Sequence, residues 1–265
     1  MVLKKMAVRS PQPTPYQDVN AFLELFHVEI RAILGDQLSG LYLGGSLALG
    51  DFNPQRSDID FAVVTRDELP PDTVAALAHM HSRLWATGGK WARKLDGSYV
   101  PQPVIRRWTP DHPPCPFVEA ADFDVTQQGS AIIQRHILRE HGMAVVGAQP
   151  HTLLDPVSAP ELRGAVREML ARWWRPLLED PAWLQQDGSQ PFAVLTMCRM
   201  LYTYEHGTVA SKPAAARWCR QTLAARWTPL IDWALARPHG PEPNYLAATL
   251  SLIAYTAHRC EHSGL

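Results

Sequence analysis

Asp58 and Asp60 stand one residue apart at the head of the apolar run Phe61-Ala62-Val63-Val64. In an extended strand, residues i and i+2 share a face. Both carboxylates therefore point the same way, and Ile59 points into the core. At a rise of about 3.3 Å per residue the two groups lie about 7 Å apart along the strand and can converge on a hard cation. Mutual repulsion disfavours ionising both unless a cation or a donor sits between them. Upstream lies Gly44-Gly45-Ser46. Glycine tolerates positive φ and leaves room for close approach, so the backbone turns sharply here. A hydroxyl and backbone N–H groups at the start of a helix suit a phosphate.

These residues need a scaffold, and the chain around them supplies one. Leu41-Tyr42-Leu43 reads as a short buried strand, and Leu47-Ala48-Leu49 can begin a helix after the turn. Before them, Asp18 is placed to cap a helix over Val19–Leu34, with Phe22, Leu25, Phe26, Ile30 and Ile33 near helical spacing and Gly35 as its stop. After them, Pro70-Pro71-Asp72 opens a helix over Thr73–Ala86. His79 and His81 lie two apart within it, on different faces, and read as non-ligands. Trp91–Val100 reads as a third strand, closed by Pro101 and Pro103. From Arg106 to Gln128, with Pro110, Pro113, Pro114 and Pro116, the chain reads as a long irregular connection of the kind that is often functional. Ser130–His141 returns to a helical pattern, and Met143–Gly147 to a strand.

Asp155-Pro156 and Ala159-Pro160 mark a boundary beyond which strand signals vanish. Helical patterns follow over Glu161–Trp174, Phe192–Tyr204, Pro213–Leu223, Thr228–Ala236 and Pro243–Cys260. The expected architecture is α+β. Residues 1–157 form a mixed sheet with helices, and residues 158–265 form an all-α bundle.

Composition narrows the function classes. The 265 residues are 46% hydrophobic and 19% charged, which is globular and leaves room for two modest domains. A formal net charge of −1 argues against the broad basic surface of a nucleic-acid binder. Cys115, Cys198, Cys219 and Cys260 form no C-x-x-C pair and read as free thiols of a reducing compartment. No 18-residue apolar run suggests a membrane span, and the basic Met1–Met6 segment has no apolar continuation. A cytoplasmic protein is expected.

Gly44-Gly45-Ser46, Leu49-Gly50 and Ser57-Asp58-Ile59-Asp60 resemble the signature of the nucleotidyltransferase superfamily with the DNA polymerase β-like fold. From about Leu41 to Gly240 the chain resembles the aminoglycoside adenylyltransferases that modify spectinomycin and streptomycin. The stretches Arg139–Gly142, Val145–Gly147, Asp155–Val157 and Leu195–Tyr202, followed by Gly207, Ser211-Lys212 and Ala216–Trp218, carry that likeness.

The resemblance implies a Mg²⁺-dependent transfer of AMP from ATP to a hydroxyl of a small acceptor, with pyrophosphate leaving. It implies Asp58, Asp60 and Asp96 as metal ligands. Asp96, in Leu95-Asp96, stands where this branch has a glutamate and is the candidate base. Gly45, Ser46, Ser57 and Ser130 fall at nucleotide-binding positions, although the branch carries an aspartate where Ser130 stands. Arg199 and Lys212 fall where the branch places cations near the triphosphate, whose charge exceeds what metals neutralise. Trp183 and Asp187 are the acceptor-side candidates. The alternatives are a nucleotide-binding sensor without transferase activity and a transferase acting on a protein or a nucleic acid.

Overall fold

The computed structural model describes residues 12–107, 109, 111–119, 121–126, 131–236 and 244–262. The chain divides into two compact units. The first comprises Met1–Ala48, Asn53–Gln127 and His141–Leu153; the second comprises Leu49–Phe52, Gln128–Glu140 and Leu154–Leu265.

The first unit is built on a mixed sheet. In chain order its elements are α1 (Gln17–Leu34), β1 (Leu38–Leu43), α2 (Gly45–Ala48), β2 (Ile59–Thr65), α3 (Pro71–Ala86), β3 (Leu95–Pro101), α4 (Gln102–Arg106), β4 (Cys115–Glu119) and β5 (Asp122–Thr126). After α5 (Ala131–His141), most of which belongs to the second unit, come β6 (Met143–Val146) and α6 (Pro150–Leu153). The strands lie in the order β5-β4-β3-β2-β1-β6. Only β2 and β3, joined through α3, run parallel; the other neighbours are antiparallel.

Alternation decides which face is buried. Ile59, Phe61 and Val63 of β2, and Leu95 and Tyr99 of β3, are almost wholly buried, whereas Asp60, Ala62, Asp96 and Ser98 are half-buried on the other face. The buried face meets α1 and α3 through an aromatic cluster. Phe26 stands edge-on to Phe61 at 5.0 Å, and Phe61 edge-on to Tyr99 at 5.8 Å. His81 lies among them, with its Nε2 2.7 Å from the Tyr99 hydroxyl. Burial holds its imidazole down at about 4, so it is a neutral core residue. The expected cap at Asp18 is not formed. Tyr16 is the N-cap residue, and the Asp18 carboxylate accepts from the Trp91 indole N–H at 2.9 Å.

Two expectations are corrected here. The strand placed at Trp91–Val100 begins only at Leu95, because Ala92–Lys94 winds as a 3₁₀ turn. The segment read as an irregular connection holds the hairpin β4–β5. Pro116, the one proline inside β4, stands opposite Val125 of β5, and Pro113 and Pro114 precede the strand.

The second unit is helical. Its elements are α5, α7 (Ala159–Met169), α8 (Ser189–His206), α9 (Lys212–Thr222), α10 (Thr228–Ala236) and α11 (Leu246–His262). Helix α7 starts with a reciprocal cap. The Ser158 hydroxyl accepts from the Glu161 N–H, and the Glu161 carboxylate accepts from the Ser158 N–H at 2.8 Å. Beyond Met169 the winding widens to a π-helix over Leu170–Trp174, where a continuous α-helix was expected. Helix α8 is the hub: Ala193, Val194, Met197 and Cys198 have no exposed surface, and α7, α9, α10 and α11 pack around it. Cys115, Cys198, Cys219 and Cys260 are buried free thiols. Among the described residues no helix is long and apolar enough to cross a membrane.

Candidate active site

The turn between β1 and β2 is tightly closed by backbone hydrogen bonds. The Gly44 N–H donates to the Asp60 carbonyl at 2.9 Å, and the Ala48 N–H to the Gly44 carbonyl at 3.1 Å. Gly45 has φ +50°, and a Cβ on it would stand 1.8 Å from Asp60 Oδ2. The glycine is therefore required twice, for its conformation and for the room that the Asp60 carboxylate occupies. Ser46 follows in the short helix α2. Ser57 closes the loop that leads into β2: its hydroxyl accepts from the Asn53 N–H at 3.0 Å, and its N–H donates to the Asn53 carbonyl at 2.8 Å.

The acids meet across the sheet. In the parallel pairing of β2 and β3, Asp60 stands directly beside Asp96. Asp58 lies two residues before Asp60, just ahead of the strand, with its side chain 58% exposed and 3.6 Å from Lys94 Nζ. The same ammonium donates to the Ser57 carbonyl at 3.3 Å. Burial pushes the Asp96 carboxyl up to about 7, and the negative charges of Asp60, Glu119 and Asp58 push in the same direction. No cation among the described residues pairs with Asp96. An accumulation of carboxylates without an equal number of cations is the electrostatic form of a cation-binding site.

The donor set fits a hard divalent ion, since every donor is a carboxylate oxygen. The fit is an open one. Among the described residues no three His, Cys, Asp or Glu side chains are grouped so that they could hold a metal ion by themselves. Mg²⁺ does not ask for such a group, because it keeps several waters and takes one or two carboxylates together with substrate phosphates.

In the second unit, Lys212 opens α9, behind an N-cap in which the Ser211 hydroxyl accepts from the Ala214 N–H and donates to Asp51. Its ammonium lies over the Phe192 ring, 3.7 Å from the centroid. Trp183 meets the same ring edge-on at 6.0 Å, and Trp174 meets Trp183 in the same way at 6.0 Å. Arg199 is seven residues beyond Phe192 on α8, two turns along one helix face and about 10 Å away. The second unit thus brings Trp183 and Lys212 to one aromatic cluster around Phe192, with Arg199 two turns farther along α8. Asp187 is exposed, just ahead of α8. Ser130 lies outside the described residues.

One residue of this site escaped the sequence reading. Glu119 ends β4 beside Asp96, and it was hidden because its strand was read as a loop. The alternation Asp122-Phe123-Asp124-Val125-Thr126 after it was the available signal for the hairpin.

The comparisons with known proteins cover both units. The nucleotidyltransferase domain family model matches residues 28–84. The model for the C-terminal domain of aminoglycoside adenylyltransferase matches residues 152–262. An aminoglycoside (3'') (9) adenylyltransferase of Escherichia coli is 29% identical over 240 residues, covering 86% of this chain and 88% of the relative. That of Klebsiella pneumoniae is 30% identical over 213 residues, covering 76% and 78%. The crystal structure of the spectinomycin adenyltransferase from Enterococcus faecialis with ATP and spectinomycin superposes with a TM-score of 0.70. At 18% identity it covers 90% of this chain and 98% of its own, and so shares the fold. With a sheet that pairs Asp60 and Asp96 behind the Gly44-Gly45-Ser46 turn, and with relatives matched over most of their length, the chain belongs to the aminoglycoside adenylyltransferase family of nucleotidyltransferases.

Proposed function

We propose that the protein transfers AMP from ATP to a hydroxyl of an aminoglycoside-type antibiotic, with Mg²⁺ as cofactor, in the cytoplasm where ATP is available. The observation that carries this reading is the pairing of Asp60 with Asp96 on adjacent parallel strands, with Asp58 two residues before. Residues 1–157 are assigned the catalytic centre, and residues 158–265 the completion of the nucleotide and acceptor sites.

Asp58, Asp60 and Asp96 would hold Mg²⁺, which would neutralise phosphate charge and polarise the α-phosphorus. The rest falls to the chain's own groups. Gly45 and Ser46 present backbone and hydroxyl donors to the nucleotide phosphates, and Ser57 and Ser130 are assigned to the same nucleotide. Arg199 and Lys212 offset the charge of the triphosphate and of the departing pyrophosphate. Asp96 takes the proton of the acceptor hydroxyl as that oxygen bonds to the α-phosphorus. The bond from the α-phosphorus to the oxygen bridging to the β-phosphorus breaks, and pyrophosphate leaves with the electron pair. Trp183 and Asp187 offer an aromatic face and a carboxylate to a cationic acceptor.

The test is incubation with Mg²⁺ and labelled ATP. Pyrophosphate release is scored across a panel that includes spectinomycin and streptomycin, with a no-acceptor control. Release that depends on an antibiotic supports the reading. ATP binding without release on any acceptor would favour the sensor reading instead.

A further inference from the structure

We propose that Glu119 selects the acceptor by holding one of its cationic nitrogens beside the hydroxyl that is adenylylated; this rests on the function proposed above. The argument is one of register. Asp60 pairs with Asp96 across β2 and β3. Gly97 pairs with Val118 across β3 and β4, so the next step of that antiparallel ladder sets Asp96 opposite Glu119. Glu119 in turn pairs with Asp122 of β5. Directly paired residues project from one face of a sheet. Asp60, Asp96, Glu119 and Asp122 therefore form a single row across four strands.

Spacing separates their tasks. Neighbouring strands lie about 4.8 Å apart, which puts Glu119 roughly 10 Å from Asp60 along the row. Carboxylate oxygens bind Mg²⁺ at about 2.0–2.1 Å, so Glu119 is too far away to share an ion held by Asp58 and Asp60. It is one strand spacing from Asp96. That is the separation between a hydroxyl poised at Asp96 and an amino or guanidino group on the same or the adjoining ring.

Like charges directly opposite in a sheet are destabilising, and Glu119 is exposed with no ion-pair partner among the described residues. A cationic acceptor supplies the missing charge. The hydrogen bond so formed is charge-assisted on both sides, the stronger kind. It would discriminate against neutral sugars, which leave the carboxylate unpaired.

The experiment compares wild type, Glu119→Gln and Glu119→Asp in the full chain. Three quantities are read: Mg·ATP affinity by calorimetry without acceptor, KM and kcat for spectinomycin and streptomycin, and turnover of their N-acetylated or otherwise neutralised derivatives. The expected result for Glu119→Gln is a rise in acceptor KM of about tenfold or more, with kcat and Mg·ATP affinity little changed. Glu119→Asp recovers part of the loss, and the neutral derivatives distinguish wild type from Glu119→Gln much less. An unchanged KM in an active Glu119→Gln overturns the proposal and leaves the function standing. A fall in Mg·ATP affinity overturns it in favour of a metal ligand, and a fall in kcat alone in favour of proton transfer. A wild type that turns over no acceptor overturns the function and this proposal together.

Discussion

In the first unit the carboxylates of Asp60, Asp96 and Glu119 stand side by side on adjacent strands, and burial with mutual repulsion lifts Asp96 to about 7. In the second unit the cations are seated before any substrate arrives. Arg163 Nε donates to the Tyr204 carbonyl at 2.8 Å, Arg167 to the Tyr204 hydroxyl at 2.9 Å, Arg220 pairs with Asp232 at 2.8 Å, and Lys212 rests on Phe192. One unit holds charge that asks for a ligand, and the other holds charge that is mostly committed to its own fold. Changes to the first should therefore act mainly on chemistry. Changes to the second should act on affinity or on stability.

The largest effect is expected where charge and sterics coincide. Asp60→Asn should reduce transfer by about 10²–10³ or more and weaken Mg·ATP binding, because the remaining carboxylates cannot replace it. Gly45→Ala should mimic this without touching a charge, since the added Cβ meets Asp60 at 1.8 Å and 2.2 Å from its Oδ2 and Cγ. The left-handed backbone adds about 1–2 kcal/mol to the cost of displacing Asp60. Calorimetry that finds Mg·ATP affinity intact in both variants would remove Asp60 from the metal site.

Asp96 comes next. Removal of a positioned base typically costs about 10²–10⁴ in rate, so Asp96→Asn should lower kcat by that much. Asp96→Glu keeps the carboxylate and extends its reach by one methylene, and should keep at least part of the activity. Full turnover by Asp96→Asn would assign the proton to another group.

A third prediction tests whether the core beneath the acids is as electrostatically quiet as its aromatic packing implies. His81 has its pKa depressed from 6.5 to about 4 in the fold by burial. Between those values the unfolded chain binds the extra proton. The stability contributed by neutral His81 is thus complete above about 6.5 and is lost progressively as pH falls towards 4. The full loss is about 3 kcal/mol, at 1.36 kcal/mol per pH unit. His81→Gln keeps a polar partner for the Tyr99 hydroxyl and does not titrate. It should flatten the fall in urea midpoint between pH 6.5 and 4.5. An equally steep fall in the variant would place the titrating group elsewhere.

Legibility in the sequence cut across the two units. Strands β1 and β2 and the turn between them were readable because alternation, glycine pairs and a charged strand head are local signals. Helices α8–α11 were readable by their apolar spacing, with ends shifted by a few residues. The hairpin β4–β5 was not, because Pro113 and Pro114 precede its first strand and Pro116 lies within it, which masks the strand pattern of Phe117 and Val118. With the hairpin went Glu119, whose meaning depends on the residue opposite it and not on its neighbours in sequence. The π-helix at Leu170–Trp174 was hidden too, since an apolar stripe does not distinguish one winding from another.

The smallest effect is expected at Lys212, and it decides how far the contrast between the units extends. If its ammonium serves the fold, its worth includes the cation–π contact with Phe192, about 0.5–1 kcal/mol at a half-exposed site. Lys212→Met, which keeps the stem and its packing, would then lower the thermal midpoint slightly and leave ATP kinetics alone. If its ammonium serves the triphosphate, as proposed, Lys212→Met should raise KM for ATP by about tenfold, the size of one exposed charge-assisted contact, with little change in stability. Phe192→Leu separates the two further. It removes the ring from beneath the ammonium, so a phosphate role predicts ATP affinity that is unchanged or improved, whereas a structural role predicts only a loss of midpoint. The ring also seats Trp183. Phe192→Leu should therefore loosen acceptor binding in the same variant that spares ATP. A drop in ATP affinity in Phe192→Leu as large as in Lys212→Met would mean that the ring holds the lysine in its working position and that the second unit is preorganised for nucleotide after all.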